Sequence, residues 1–308
     1  MMETTFERHE IRQIALLVNP AAGKGKSSAA AELARSAFAE AGVAVTVLAG
    51  ASPRESKELI RRSIDDKSLD ALVVCGGDGL VSLALQAQAK TAVPLGIIPA
   101  GTGNDHAREY HIPLDPLGAV KVITAGYATR TDLGLMRDDE GREKYFGTIA
   151  CMGFDSLSSA RTNSISFPRG ASRYVVAGLI EWARFHPRET RIYVDGQEVC
   201  SGPVTTCVMG NTKSYGGGLE VCPHADPRDG LLELSILGDM TRWGMLRNAG
   251  AYGNGTWWKL PQAQTGRGRV IRVEMPAVTA FADGDAYFDS AIECTAVPDA
   301  GYYLVPRS

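Results

Sequence analysis

The chain has 308 residues, 44% of them hydrophobic and 22% charged, with a formal net charge of -3 at pH 7. That length supports two domains, each burying its own core, and the net charge argues against a general nucleic-acid binder. No apolar run reaches the ~18 residues of a bilayer span, and the N-terminus has no secretory pattern, so a cytoplasmic protein is expected. The six cysteines, at 75, 151, 200, 207, 222 and 294, form no Cys-x-x-Cys pair. Buried reduced thiols are expected rather than a disulfide framework or a zinc site.

Ile14 to Val18 reads as a buried strand, followed by the loop Asn19-Pro20-Ala21-Ala22-Gly23-Lys24-Gly25-Lys26-Ser27 and a helix from about Ala29 to Ala41. Pro20 and Ser28 stand where a Walker A loop and a dinucleotide fingerprint need glycine, so the loop is neither. Its backbone N–H groups and lysines still suit an anion at a helix N-terminus, which makes Gly23 and Lys24 candidates; a plain solvated turn is the alternative.

Val43 to Leu48 is the second strand. Ser52-Pro53-Arg54-Glu55 starts a helix, with serine as N-cap and glutamate three residues on. The apolar run Ala71-Leu72-Val73-Val74 leads into Cys75-Gly76-Gly77-Asp78-Gly79, with a helix after it to about Gln88. Glycines let backbone N–H groups approach anionic oxygens, and a carboxylate among them suits magnesium coordination or proton removal. A Gly-Asp-Gly turn leaving a strand is the bland alternative. Pro94 to Ile98 forms a fourth strand and ends in Pro99-Ala100-Gly101-Thr102-Gly103-Asn104-Asp105, and Asp115-Pro116 caps a helix reaching about Ala125. Strands alternating with helices at this spacing predict a doubly wound parallel sheet, with ligands beyond the carboxyl ends of its strands. Three of the four strands carry polar glycine-rich loops at that end, which argues for a phosphorylated ligand.

From about Lys144 the period changes to short alternating strands, predicting a β-sandwich; the expected domains are 1–130 and 131–308. Asp195-Gly196 and Asp283-Gly284-Asp285 read as hairpin turns. Asp226 and Asp229, with a backbone carbonyl, are candidates to hold a hard cation. A stripe from Tyr174 to Trp182 and the pair Trp257-Trp258 beside Lys259 suit either a core face or a membrane interface.

The ordered set resembles the diacylglycerol kinase catalytic-domain family, which includes bacterial lipid kinases and sphingosine and ceramide kinases. It comprises Asn19-Pro20 with its loop, Gly76-Gly77-Asp78-Gly79, Pro99 to Asp105, Thr131-Asp132-Leu133-Gly134, Gly153-Phe154-Asp155, Tyr215-Gly216-Gly217-Gly218 with Pro223 to Leu231, and Asp283-Gly284-Asp285. The resemblance implies an ATP- and Mg2+-dependent kinase acting on a lipid at a membrane surface, most simply diacylglycerol, with its active site in a cleft between the two domains. It implies nucleotide contacts for Asn19, Gly76, Gly77, Gly79, Gly101, Thr102, Gly103 and Asn104, active-site roles for Asp78, Asp132 and Asp285, and a Mg2+ site at Asp226, Asp229 and the Leu231 carbonyl. Peripheral membrane association follows, no nucleic-acid partner is expected, and a homodimer is left open.

Two departures stand out. Leu80 replaces the family's usual threonine, and Asp285 its usual glutamate. The sequence also ends at Pro306-Arg307-Ser308, so a returning C-terminal helix seen in relatives is expected to be missing. An NAD kinase, which shares the Gly-Gly-Asp-Gly loop, and a nucleotide-binding regulator without catalysis are the alternatives.

Overall fold

A computed structural model describes residues 5–19, 26–66, 68–158, 186–289 and 291–307. The chain divides into two compact units, residues 1–132 with 298–308, and residues 133–297.

In the first unit, β1 (Glu7–Arg8) precedes β2 (Gln13–Val18), α1 (Lys26–Glu40), β3 (Ala44–Leu48), α2 (Pro53–Asp65), β4 (Ala71–Gly76), α3 (Asp78–Gln88), β5 (Leu95–Pro99), α4 (Asp105–Glu109), α5 (Pro116–Ala125) and the start of β6 (Tyr127–Asp138). The parallel strands lie in the order β3-β2-β4-β5, so chain order reverses between β2 and β4. At such a reversal the loops leaving two neighbouring strands diverge and leave room for a ligand. β4 and β5 are buried throughout, as their apolar runs require, whereas β3 at the edge is largely exposed. Residues from the chain's end close the other side of this sheet, with Tyr303 paired in parallel to Leu95 and its ring stacked 4.5 Å from that of Tyr110.

The helix starts follow local chemistry. Ser52 accepts a hydrogen bond from the Glu55 N–H, and the Glu55 carboxylate reaches back to the N–H of Ala51, one residue before the cap. Asp115 caps α5 through the Gly118 N–H, and Gly126 ends it in the left-handed conformation. α1 begins at Lys26, a turn earlier than the alanine-rich pattern suggests, and its Ser27 hydroxyl donates to the Ala100 carbonyl at 3.2 Å.

The second unit takes up the rest of β6 and continues with β7 (Glu143–Phe146), β8 (Ile149–Gly153), β9 (Arg188–Val194), β10 (Gln197–Val204), β11 (Thr206–Gly210), β12 (Ser214–Tyr215), β13 (Leu219–Glu220) and β14 (Leu232–Leu237). Two short helices, α6 (Arg242–Arg247) and α7 (Ala249–Gly253), lead to β15 (Ala263–Gly268), β16 (Val270–Glu274), β17 (Ala280–Ala282), β18 (Asp285–Phe288) and β19 (Ile292–Leu304). β10, β9, β16 and the start of β19 are antiparallel neighbours, and a six-stranded antiparallel sheet runs β15-β14-β11-β8-β17-β18.

These two sheets share one buried cluster. Met136, Ile192, Ile271 and Ile292 come from the first, and Met152, Met209 and Leu234 from the second. Alternate residues of the six-stranded sheet point the other way. In β8, Ala150 and Met152 join this cluster while Ile149 and Cys151 join another around Trp257 and Met245. Both faces of β8 and β11 are therefore dry, and each large aliphatic chain so buried contributes about 1.5–3 kcal/mol. Gly134 sits opposite Phe146, where any Cβ would enter the ring.

All six cysteines are free thiols; five are buried and Cys200 is half-buried. Trp257 is 1% exposed and Trp258 packs at the edge of the second cluster, so this pair belongs to the core side of the two readings given above. The Tyr174 to Trp182 stripe lies outside the described residues.

Candidate active site

β4 delivers Gly76 and Gly77 to the carboxyl edge of the parallel sheet, and β5 delivers Ala100 and Gly101 beside them. The strands are in register there, Gly76 opposite Pro99, and the Ala100 N–H donates to the Gly76 carbonyl at 2.9 Å. Beyond the last pair the two backbones touch. A Cβ on Gly101 would lie 2.5 Å from the Gly77 Cα, and one on Gly77 would lie 3.0 Å from the Gly101 Cα. A side chain at Gly101 would force one loop to shift, and one at Gly77 would press on the other by a few tenths of an ångström.

Asn104 holds the second loop in shape. It occupies the left-handed region at φ 53°, which asparagine tolerates, and its side chain accepts from the Gly101 N–H at 2.9 Å and donates to the Gly101 carbonyl at 3.2 Å. Thr102 is exposed at the tip of this loop, and the Gly103 carbonyl accepts from the Arg108 guanidinium. Gly79 lies in the first turn of α3, where the Leu80 N–H donates to the Gly77 carbonyl at 3.0 Å, and Leu80 itself packs over Gly76. Asn19 is exposed at the end of β2, one residue beyond Val18, which pairs with Cys75. Gly23 and Lys24 lie outside the described residues.

Asp78 is the first residue of α3, and its carboxylate also meets the start of α4. Oδ1 lies 3.3 Å from the backbone nitrogen of His106 and 3.3 Å from its ring Nδ1. The ring is 1% exposed and the Asp78 side chain 19%. Burial alone would push the Asp78 carboxyl up. The His106 ring and the N–H groups of His106 and Asp105 outweigh it and hold the group below the usual carboxylate range. The result is an ionised carboxylate, held by His106, beside the glycine-rich ends of β4 and β5.

The other two predicted acids occupy different settings. Asp132 is a buried residue of β6 in the first unit, where its Oδ1 accepts from the Asp299 N–H at 3.2 Å. Asp285 is exposed at the start of β18 in the second unit. The acid of that hairpin with the most contacts is Asp283, which is buried and accepts from the N–H groups of Gly147 and Thr148 and from the Thr148 hydroxyl.

Asp226 is exposed, and Asp229 is in an ion pair with Arg267 while its Oδ1 accepts from the Leu231 N–H at 3.0 Å. Among the described residues no cluster of three or more His, Cys, Asp or Glu side chains is arranged to hold a metal. Arg267 is the cation that faces Asp229 here, and a Mg2+ role for Asp226, Asp229 and the Leu231 carbonyl stays an expectation from the sequence.

One residue of consequence, His106, was not singled out from sequence, and Asp155 was quoted only as part of a motif, with no role. His106 sits inside the Asn104-Asp105-His106 stretch, but only the adjacency of β4 and β5 brings it to Asp78. Asp155 is buried, hydrogen-bonded to the Thr206 hydroxyl at 3.0 Å, and its carboxyl is pushed up to about 6 by desolvation.

A doubly wound sheet whose glycine-rich edge holds a fixed carboxylate, in a chain that continues into an antiparallel sandwich, is the two-domain architecture expected of a nucleotide-dependent kinase. Residues 13–136 match the diacylglycerol kinase catalytic domain, and residues 148–302 match the YegS C-terminal NAD kinase beta sandwich-like domain. The chain belongs to the diacylglycerol kinase catalytic-domain family of lipid kinases. It is 41% identical over 303 residues to the diacylglycerol kinase of Mycobacterium tuberculosis (strain ATCC 25618 / H37Rv), covering 98% of each chain. A Pseudomonas aeruginosa (strain UCBPP-PA14) protein described as "Probable lipid kinase YegS-like" is 32% identical over 219 residues, covering 70% of this chain and 68% of that one. The crystal structure of a diacylglycerol kinase from Bacillus anthracis shares the fold, with a TM-score of 0.74 at 19% identity over 99% of both chains. The name of the second domain model records the likeness to NAD kinases that left that alternative open from the Gly-Gly-Asp-Gly loop.

Proposed function

We propose that the protein transfers the γ-phosphate of ATP to the free hydroxyl of diacylglycerol, giving phosphatidic acid and ADP. The observation that carries this reading is the Asp78 carboxylate, held ionised at the start of α4 and beside the Gly77–Gly101 crossing. Identity of 41% along nearly the whole of a protein described as a diacylglycerol kinase supports the choice of acceptor.

In this reading the acceptor hydroxyl forms the new O–P bond, the β–γ bridging oxygen leaves with ADP, and Asp78 takes the hydroxyl proton. A carboxylate of low basicity suffices, because the transition state is loose and positioning with charge stabilisation supplies most of the rate. Asn19, Gly23, Lys24, Gly76, Gly77, Gly79, Gly101, Thr102, Gly103 and Asn104 are proposed to surround the ATP phosphates, with backbone N–H groups as the main donors. Magnesium enters as part of the MgATP substrate. Asp132 and Asp285 are proposed for acceptor or metal duty. Among the described residues no helix is long and apolar enough to cross a membrane, so the lipid is proposed to be met by peripheral contact with the bilayer.

The test is incubation with labelled ATP and Mg2+ against diacylglycerol, sphingosine, ceramide and NAD separately. Labelled phosphatidic acid is the expected product. Phosphorylation of NAD alone, or no product with any acceptor, would overturn the reading.

A further inference from the structure

Residues 240–273 contain no aspartate or glutamate and six cations, Arg242, Arg247, Lys259, Arg267, Arg269 and Arg272, in a chain whose net charge is -3. Two of these are held internally, Arg267 by Asp229 and Arg272 by Asp139 and Glu274. Arg242 and Arg247 flank exposed apolar surface. Trp243 is 75% exposed, the most of any large hydrophobic residue described, and Leu246, three residues on, is 45% exposed.

Both residues lie on α6, whose spacing puts them on one side of a single turn. The turn is firmly seated. The Thr241 hydroxyl accepts from the Gly244 N–H at 3.0 Å, and Met245 is buried in the same cluster as Trp257. Arg242 and Arg247 stand at its two ends, and the Arg242 guanidinium is 2.8 Å from the His186 ring. At the edge of that cluster Lys259 covers the half-buried Trp258, its Nζ 4.8 Å from the ring centre. A rigid turn that leaves a tryptophan and a leucine in water between two arginines matches an interface with an apolar interior and an anionic surface.

We propose that this α6 face docks on an anionic lipid bilayer, with Trp243 and Leu246 entering the headgroup region and Arg242 and Arg247 meeting lipid phosphates. This rests on the lipid-kinase reading and adds where the bilayer is met. Indole and leucine side chains gain from leaving water, and each cation near an anionic leaflet adds about a fivefold gain in partition. The negative charge of the whole chain opposes such contact, so the cation-rich stretch has to supply the orientation.

The test uses the full chain and sedimentation with vesicles of phosphatidylcholine alone or mixed with phosphatidylglycerol. The expected result is association with the mixed vesicles that weakens with added salt and falls at least tenfold in the Trp243→Glu, Leu246→Glu variant. An Arg247→Glu variant, altered only at an exposed position, should lose most of the salt-sensitive part. Phosphorylation of a short-chain diacylglycerol dispersed without vesicles should be unchanged in both, which separates loss of docking from loss of folding or catalysis. Unchanged vesicle association in the variants would overturn the proposal. So would a self-associated wild type that both variants convert to monomer without changing vesicle association, since the face would then join two copies of the chain. If the wild type phosphorylates no lipid, the kinase reading fails on its own, and the sedimentation arm still decides the docking surface.

Discussion

The imidazole Nδ1 of His106 stands 3.3 Å from Oδ1 of Asp78, although the residues are 28 apart in sequence. The same oxygen lies 3.3 Å from the His106 backbone nitrogen, so one buried residue fixes the carboxylate twice. Its ring makes His106 a positioning residue for Asp78. Replacing it with phenylalanine should lower kcat on the order of tenfold, the scale of a hydrogen bond to a charged group, with KM for ATP little changed. Asparagine, whose amide can occupy the Nδ1 position, should recover most of the loss. Equal kcat in the phenylalanine variant and the wild type would remove the ring from the mechanism.

The Gly77–Gly101 crossing makes a sharper demand. Gly101→Ala places a methyl group 2.5 Å from a backbone Cα, so one loop must move. We expect nucleotide affinity, measured by titration calorimetry, to fall at least tenfold in this variant. Gly250→Ala, where a Cβ meets nothing within 4 Å, should bind as the wild type does. Normal affinity in Gly101→Ala would place the phosphates elsewhere.

Much of this arrangement was readable because it is local. The apolar runs of β2, β4 and β5, the Ser52 and Asp115 caps and the glycine-rich strand ends all declare themselves within a few residues. What escaped depends on distant pairing. The return of Tyr303 to Leu95, the contact of His106 with Asp78 and the capture of Asp229 by Arg267 each join segments whose neighbourhood is set by sheet order alone. The Trp257-Trp258 pair stayed open between two readings for a related reason. An aromatic pair beside a lysine reads alike in a core and at an interface, whereas Trp243, an isolated tryptophan, is the exposed one.

Asp155 gives the fold a pH dependence whose sign is fixed. Its folded-state pKa of about 6 lies above the unfolded value of about 3.9, so the folded protein binds more protons between them. Stability from this group is therefore greatest below about pH 4, falls as pH rises toward 6, and is level above that. The total change is about 3 kcal/mol at two units of displacement. Urea unfolding across this range should show a steeper fall for the wild type than for Asp155→Asn. Parallel curves would mean the carboxyl is not perturbed.

At Asp229 the compensating cation is Arg267. Arg267→Ala, measured without divalent ions, should lower stability by roughly 1 kcal/mol, the scale of a partly exposed pair. Equal stability in the variant and the wild type would show that the pair contributes nothing.

Asp78 is proposed to take the proton from a lipid hydroxyl as phosphate is transferred from ATP. The direct measurement is turnover of diacylglycerol to phosphatidic acid by Asp78→Asn at saturating MgATP, beside thermal unfolding of the same sample. We expect kcat to fall on the order of a hundredfold to ten-thousandfold with the Tm retained. Near-normal turnover in a folded Asp78→Asn protein would contradict it.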